Sequence, residues 1–396
     1  MAETTTSYSD ARSRLQRWIQ ERDYAGFEPY DLLNSEYLHG GWARQQPFAS
    51  VLLQTGKHYG GLTLRRWLRV PASKNPKALG LILSAYCDLK RLGEDTALYA
   101  TYLKAELRRL RSPQERDYCW GYDWDWIALR GTRLSAFSPN CIATYFCASA
   151  LLDMANCFAD SEAHAMALSA ASFVTQRLNR SVDGSRHLCF SYTPRDHTLI
   201  FNNSVLAGAL LARLAGDERR IFHDLARRSI QYLADHQASD GSWPYGTGPL
   251  QHWIDGFHTG YNLCAILEYR HWTGDQTFDE TWARAYRFYK MNFFREDGAP
   301  KYMYNRLYPI DIHACTQAIL TFCASRQFDH EAMSLARRTA DWTLANMQND
   351  DGTFGFQIRR FRTDRTPYMR WGQAWMLRAL ARLELELNNS GGVRTP

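Results

Sequence analysis

Four stretches of the chain are apolar on nearly every side at helical spacing: residues 204–214, 261–269, 314–325 and 371–380. A helix without a polar face must be buried all round. An amphipathic run precedes each one. In the last, Met333, Ala336, Ala340, Leu344 and Met347 step by three or four, while Arg337, Arg338 and Asp341 lie off that stripe. An Asp-Gly turn joins each amphipathic run to its apolar run. The four glycines, Gly184, Gly241, Gly298 and Gly352, are 57, 57 and 54 residues apart. The pattern is a repeat of about sixty residues: outer helix, Asp-Gly loop, inner helix.

Two further inner helices fit upstream, at 141–154 after Pro139-Asn140 and at 79–87 after Asn75-Pro76, a helix start with proline in its first turn. Outer helices are drawn at 11–22, 97–110, 163–180, 218–237, 278–294 and 331–348. Six outer/inner hairpins with no strand pattern between them predict an all-α fold, a single closed (α/α)6 toroid over residues 10–387. Residues 1–9 and 388–396 read as loose tails. Residues 23–75, rich in Gly, Pro and aromatics, are expected to cover one mouth of the ring.

Composition changes this picture little, except in one respect. Apolar residues make up 45% and charged residues 22%, ordinary for a protein with a large core. Aromatics reach 14%, with 13 Trp and 22 Tyr, more than a core needs and suited to grooves that hold sugars or other flat ligands. The net charge of +6 is spread without a Lys/Arg run, so no nucleic-acid partner is expected. The start, MAETTTSYSD, lacks the apolar stretch of a secretion signal. The longest uncharged run, 134–152, is too polar for a membrane span. Nine scattered cysteines without a CxxC read as reduced thiols in a cytoplasmic protein.

The turn segments SIQYLADHQASDGSW (229–243) and TADWTLANMQNDDGTFGF (339–356) pair Gln237 with Asp240-Gly241-Ser242-Trp243, and Gln348 with Asp351-Gly352-Thr353-Phe354. They resemble the Gln-Trp repeat of squalene/hopene cyclases and of protein prenyltransferase β subunits, which implies their toroid. The resemblance does not carry the chemistry. The cyclase Asp-x-Asp-Asp run is missing, since Asp123-Trp124-Asp125-Trp126 lacks its last Asp. The prenyltransferase Asp-x-Cys is missing too, although 257–261 (FHTGY) resembles the segment holding that family's zinc-binding His. The phrases CWGYDWDW (119–126), WIDGFHTGYNL (253–263) and YMRWGQAWML (368–377) are similar to uncharacterised toroid proteins of bacterial exopolysaccharide clusters. The His258-Thr259-Gly260-Tyr261-Asn262 start also resembles the C-terminal toroid of glucuronyl C5-epimerases.

A toroid gathers the Asp-Gly loops and the N-termini of its inner helices at one mouth, where the helix dipoles add positive potential. For acid/base work this brings forward Asp255, His258, Asp123, Asp125, Asp311 and His313. For substrate binding it brings forward Trp120, Trp124, Trp126, Asn140, Asn202, Asn203, Trp243, Tyr245, Trp253, Tyr261, Asn262, Arg359, Arg360, Tyr368, Arg370 and Trp371. Aspartates ahead of apolar runs are equally suited to capping helices, and His258 to bonding a carbonyl. His258, Asp311 and His313 could hold zinc on paper, but no ligand spacing is diagnostic, and neither a metal nor a cofactor is called for. GxxxxGKS/T, GxSxG and HExxH signatures are absent.

The reading that follows is a carbohydrate-active enzyme of hydrolase, lyase or uronate-epimerase type, acting on an acidic glycan or glycan intermediate in polysaccharide biosynthesis. The arginines favour an anionic glycan, a sugar phosphate or a lipid diphosphate. The alternatives are a terpenoid-cyclase or prenyl-transfer enzyme and a non-catalytic toroid that binds a glycan or a protein.

Overall fold

The computed structural model describes residues 7–37, 61–127, 133–216 and 220–391. Its helices, in chain order, are α1 (Tyr8–Gln20), α2 (Gly61–Trp67), α3 (Pro76–Arg91), α4 (Ala97–Arg109), α5 (Cys141–Phe158), α6 (Ser161–Gln176), α7 (Phe201–Leu214), α8 (Arg220–Asp235), α9 (Gly256–Thr273), α10 (Asp279–Asn292), α11 (Ile312–Ser325), α12 (Ala332–Met347) and α13 (Trp375–Gly391). A π-helical turn, Met369–Ala374, leads into α13.

The fold is an (α/α)6 toroid. The inner ring is α3, α5, α7, α9, α11 and α13, each packed on the next, with α13 returning to α3. Each inner helix pairs chiefly with the outer helix that follows it, α3 with α4 and so on to α11 with α12. The last inner helix, α13, is backed by α1 from the other end of the chain. The covalent hairpin is therefore inner-then-outer, and the Asp-Gly loop crosses between hairpins. Buried Arg12 on α1 helps to close the ring, its Nε 2.9 Å from Glu384 and its Nη2 2.6 Å from Glu94.

The inner helices begin where the sequence offers caps. Asn75, Asn140, Asp255 and Asp311 accept from the backbone N–H of Ala78, Ala143, His258 and His313. The α5 helix is long and apolar enough to cross a membrane, but most of it is buried in the ring. The nine cysteines are free, seven of them buried.

The Asp-Gly turns have a common geometry at three of the four positions. Gly241, Gly298 and Gly352 hold φ of +90°, +91° and +87°. A Cβ there would strike Arg284, Arg338 or Arg14 on the next outer helix, so glycine is required on two counts. Gln237 and Gln348 seal their turns by donating to the carbonyls of Gly241 and Gly352. The fourth turn differs, with Val182 rather than Gly184 in the left-handed region.

Short strands lie among the loops: β1 (Trp126–Ile127) with β2 (Arg133–Leu134), β3 (Arg180–Ser181) with β4 (Cys189–Phe190), and β5 (Ile310–Asp311) with β6 (Gln357–Ile358) and β7 (Thr363–Asp364), all antiparallel. At two residues each, they are too short to show as alternation in the sequence. Helix α1 begins at Tyr8 and α13 runs to Gly391, so helix enters both segments read as tails. Residues 1–6 and 392–396 of those tails lie outside the described residues, as do 38–60 of the expected mouth cover.

Candidate active site

A cavity of about 410 Å³ opens where the inner helices start. Each inner helix, or the turn leading into it, supplies residues near its start to the wall: Lys77, Ile142, Asn202, His258 with Tyr261 one turn on, His313, and Arg370 with Trp371. The loops add Tyr30, Tyr122, Trp124, Trp126, Tyr192, Tyr245, Trp253 and Tyr302.

One wall is an aromatic stack. Tyr122 lies flat on Trp124 at 4.8 Å and 5°, Tyr30 also stacks on Trp124 at 6.2 Å, and Trp126 meets Tyr122 edge-on. Arg370 sits over Trp124 at 5.0 Å and Tyr122 at 5.4 Å. Its Nη2 is 3.1 Å from Glu28, and its backbone N–H donates to the same carboxyl at 2.8 Å. Burial pushes the Glu28 carboxyl up to about 8, against the pull of Arg370.

Another part of the wall carries the candidate acid/base groups. His258 Nδ1 donates to Asp255 Oδ2 at 2.7 Å. Asp255 also accepts from the Trp253 indole at 2.9 Å and from the His258 backbone at 2.9 Å. The imidazole is thereby fixed in ring orientation, with Nε2 as its free nitrogen. Tyr245 stacks on Trp253 at 4.4 Å and flanks His258 at 4.6 Å. Deeper in, the Tyr261 hydroxyl and His313 Nε2 share a 2.7 Å hydrogen bond. Burial holds His313 well below the usual imidazole range, and Lys77, Arg370 and His258 push it the same way. Lys77 Nζ is 3.4 Å from the Tyr261 hydroxyl.

Several residues expected at the mouth have other duties. Trp120 donates its indole N–H to the Leu107 carbonyl at 2.7 Å, and Trp243 to Leu233 at 2.9 Å, so both are core residues that pin a loop to the end of the preceding outer helix. Asn140 caps α5. Asn203 holds the carbonyls of Phe190 and Ser191. Asn262 and Tyr368 are buried away from the cavity, the latter under Arg65 at 4.7 Å. Arg360 lies over Phe361 outside the cavity. Arg359 lines an adjoining pocket of about 410 Å³ that shares Tyr30, Tyr302 and Trp371 with the central one.

The carboxylates are the main correction. Asp123 is buried and accepts from Ser73 and Asn75. Asp125 accepts from Arg133 at 2.7 Å and from Ala136 N–H at 2.9 Å. Asp311 is fully buried, accepting from His313 N–H, the Trp371 indole and Gln357. These three organise loops and are not among the residues that line the cavity. Asp311 is occupied in this way, so His258, Asp311 and His313 do not assemble a zinc site, and no group of three potential ligands converges among the described residues.

Lys77, Tyr30, Tyr122, Tyr192, Phe257 and Tyr302 were not foreseen. Lys77 had a signal: it is a lone charge in the first turn of α3, ahead of the apolar run from Ala78 to Cys87. The tyrosines come from loops without periodicity.

No protein-family model and no curated protein matches the chain. Solved structures do. The chain is similar to the cellobiose 2-epimerase of Bacillus thermoamylovorans, at 12% identity and TM-score 0.64, over 95% of this chain and 99% of that one. It is similar to a sugar epimerase from a ruminal bacterium at 13% identity and TM-score 0.61, over 83% and 91%. It is similar to an unsaturated glucuronyl hydrolase specific for heparin at 14% identity and TM-score 0.59, over 79% and 86%. At these identities the likeness is one of fold, the (α/α)6 toroid.

Proposed function

We propose that this protein is a carbohydrate-active enzyme that moves a proton at the carbon next to a sugar carbonyl, the step common to epimerisation and isomerisation. One observation carries the reading. The titratable groups on the cavity wall are imidazoles, phenols and cations, while the four aspartates nearby are occupied by capping, loop bonding or the orientation of His258. Glycoside hydrolysis needs two carboxyl groups about 5–10 Å apart across the sugar, and no such pair borders the cavity among the described residues. This arrangement favours proton transfer over hydrolysis by a pair of carboxyl groups.

His258 acts as the general base through Nε2, with Asp255 holding the proton on Nδ1 and stabilising the imidazolium that forms. The Tyr261–His313 pair, from the next turn of α9 and from α11, returns a proton from a second direction. Trp124, Trp126, Tyr245 and Trp253 offer flat faces for the sugar ring. Fold likeness to a cellobiose 2-epimerase and a sugar epimerase supports a sugar as substrate. An acidic group on a longer glycan would meet Arg359 in the adjoining pocket, because Arg370 is committed to Glu28. A role in polysaccharide synthesis in the cytoplasm belongs to the same reading and rests on the sequence phrases and free thiols. The prenyl-transfer alternative gains nothing here, since the mouth offers no unoccupied aspartates to a diphosphate.

The test is incubation in D2O with a panel of aldoses, ketoses, reducing disaccharides and uronates, followed by NMR. Deuterium at the α-carbon, with a new epimer or isomer, is the expected result. No exchange across the panel would sink the proposal in favour of a binding toroid.

A further inference from the structure

We propose that Lys77 is a covalent partner of the substrate, its ε-amine condensing with the open-chain carbonyl of the sugar to form an imine. The inference rests on the proton-transfer reading above and deepens it.

Lys77 is the second residue of α3, only 3% exposed, and part of the cavity wall. A buried ammonium is ordinarily tied to a carboxylate. Lys77 has none among the described residues, and its hydrogen-bond partner is the Tyr261 phenol. Its Nζ lies among ring faces, 4.2 Å from Phe146, 5.3 Å from Trp375 and 5.5 Å from Tyr261. Those faces favour a cation. Three effects oppose it: exclusion of water, the fields of Arg370 and Arg378, and the positive end of α3 itself. Glu28 pulls the other way, but it is bound to Arg370. The balance leaves the amine well below its ordinary proton affinity, the condition under which a lysine is a nucleophile.

The step balances within the cavity. The Nζ lone pair attacks the carbonyl carbon, and the carbonyl oxygen takes a proton from the Tyr261 hydroxyl, which is resupplied from the amine. The Tyr261 hydroxyl then protonates the departing hydroxyl group, which leaves as one water, giving a protonated C=N bond beside the Tyr261 phenolate; the phenolate recovers that proton when the C=N bond is hydrolysed at the end. That bond draws electrons from the α-carbon, whose proton passes to His258 and leaves an enamine. Reprotonation at that carbon followed by addition of one water releases the product sugar and the free amine. One water leaves and one returns, with no oxidant or reductant.

The test uses the full chain with D-glucose, D-mannose, cellobiose and D-glucuronate, each with sodium cyanoborohydride, followed by peptide mass mapping. We expect the mass of the reduced sugar on Lys77 ahead of surface lysines, and none at this position in Lys77→Arg, with the fold checked by circular dichroism. Sugar adducts spread evenly over surface lysines, or absent at Lys77, overturn the inference. Deuterium exchange in the same mixtures without cyanoborohydride separates the two readings. Exchange without an adduct at Lys77 removes the imine and keeps the proton transfer. An adduct without exchange keeps the imine and removes the proton transfer. Neither result removes both.

Discussion

The toroid has a second cavity at the opposite end of its axis, and the two ends differ in the state of their charges. The rear cavity is the larger, about 620 Å³ against about 410 Å³, and five arginines line it. Most of its charge is already matched. Arg213 binds Asp153 at 2.9 Å and lies 3.6 Å from Glu268, Arg382 binds Asp88 at 2.8 Å, Arg326 binds Glu386 at 2.8 Å, and Arg270 binds Asp279 at 2.9 Å. Arg378 lies toward the Phe146 ring, at 5.9 Å. At the front, aspartates are occupied while imidazoles, a phenol and an amine remain available. The inner helices explain the signs. Their N-termini converge at the front, where Asn or Asp caps four of the six, and their C-terminal carbonyls converge at the rear, where arginines answer them. Cavity size and charge density thus point to the rear, while unoccupied acid/base groups point to the front. Tyr261 borders both cavities.

The contrast can be broken or sharpened by substitution. His258→Ala should lower kcat/KM for the sugar found in the D2O assay by about 10²–10⁴, with the melting temperature close to that of the parent. A smaller loss would move the base elsewhere. At the rear, Arg213→Met leaves Asp153 and Glu268 short of a partner and should cost about 3–5 kcal/mol of stability, read by urea unfolding. Turnover per folded molecule should be unchanged, and a selective loss of turnover would make the rear part of the site.

Lys77→Met should separate stability from function. Burial weakens the native protein's hold on this lysine's proton relative to the unfolded chain, so native stability is reduced below the free-lysine range and recovers as pH rises toward it. The methionine variant should therefore be more stable by about 1–4 kcal/mol at pH 7, with the advantage shrinking on the way to pH 10, and inactive. Lower stability at pH 7 would show that Lys77 is a satisfied structural cation.

Trp243→Phe should cost about 1 kcal/mol through loss of the indole hydrogen bond to the Leu233 carbonyl, which keeps the His236 N–H, and leave KM for the sugar unchanged. A raised KM would return Trp243 to the mouth. His313 gives the gentlest effect. Burial holds its proton affinity in the folded protein well below that of the unfolded chain, which protonates at about pH 6.5. Stability should fall as pH drops below that value, by at most about 1.4 kcal/mol per pH unit. In His313→Asn that slope should flatten in parallel melts, and an identical slope would refute the assignment.

Much of the toroid was legible before its structure. Helix α5 starts at Cys141, as expected from Asn140, and the other inner helices start within a few residues of the apolar runs that mark them. Of the site, Asp255 and His258 were legible because they depart from the repeat. Trp120 and Trp243 were misplaced for the converse reason: an aromatic next to a turn shows that something packs there, not which side it packs on.

The chain alone determined its helices, their burial and the closure of six hairpins, because each follows from local periodicity and from the need to bury helices that have no polar face. Tertiary structure decided the rest. It set which outer helix backs which inner one, occupied Asp123 and Asp311 with donors from distant segments and Asp125 with donors from the loop that follows it, fixed the His258 ring through Asp255, and placed Lys77 against Tyr261, 184 residues away. Those outcomes depend on which hydrogen-bond donors and charges meet across the ring, and no local pattern records a meeting between helices so far apart in the chain.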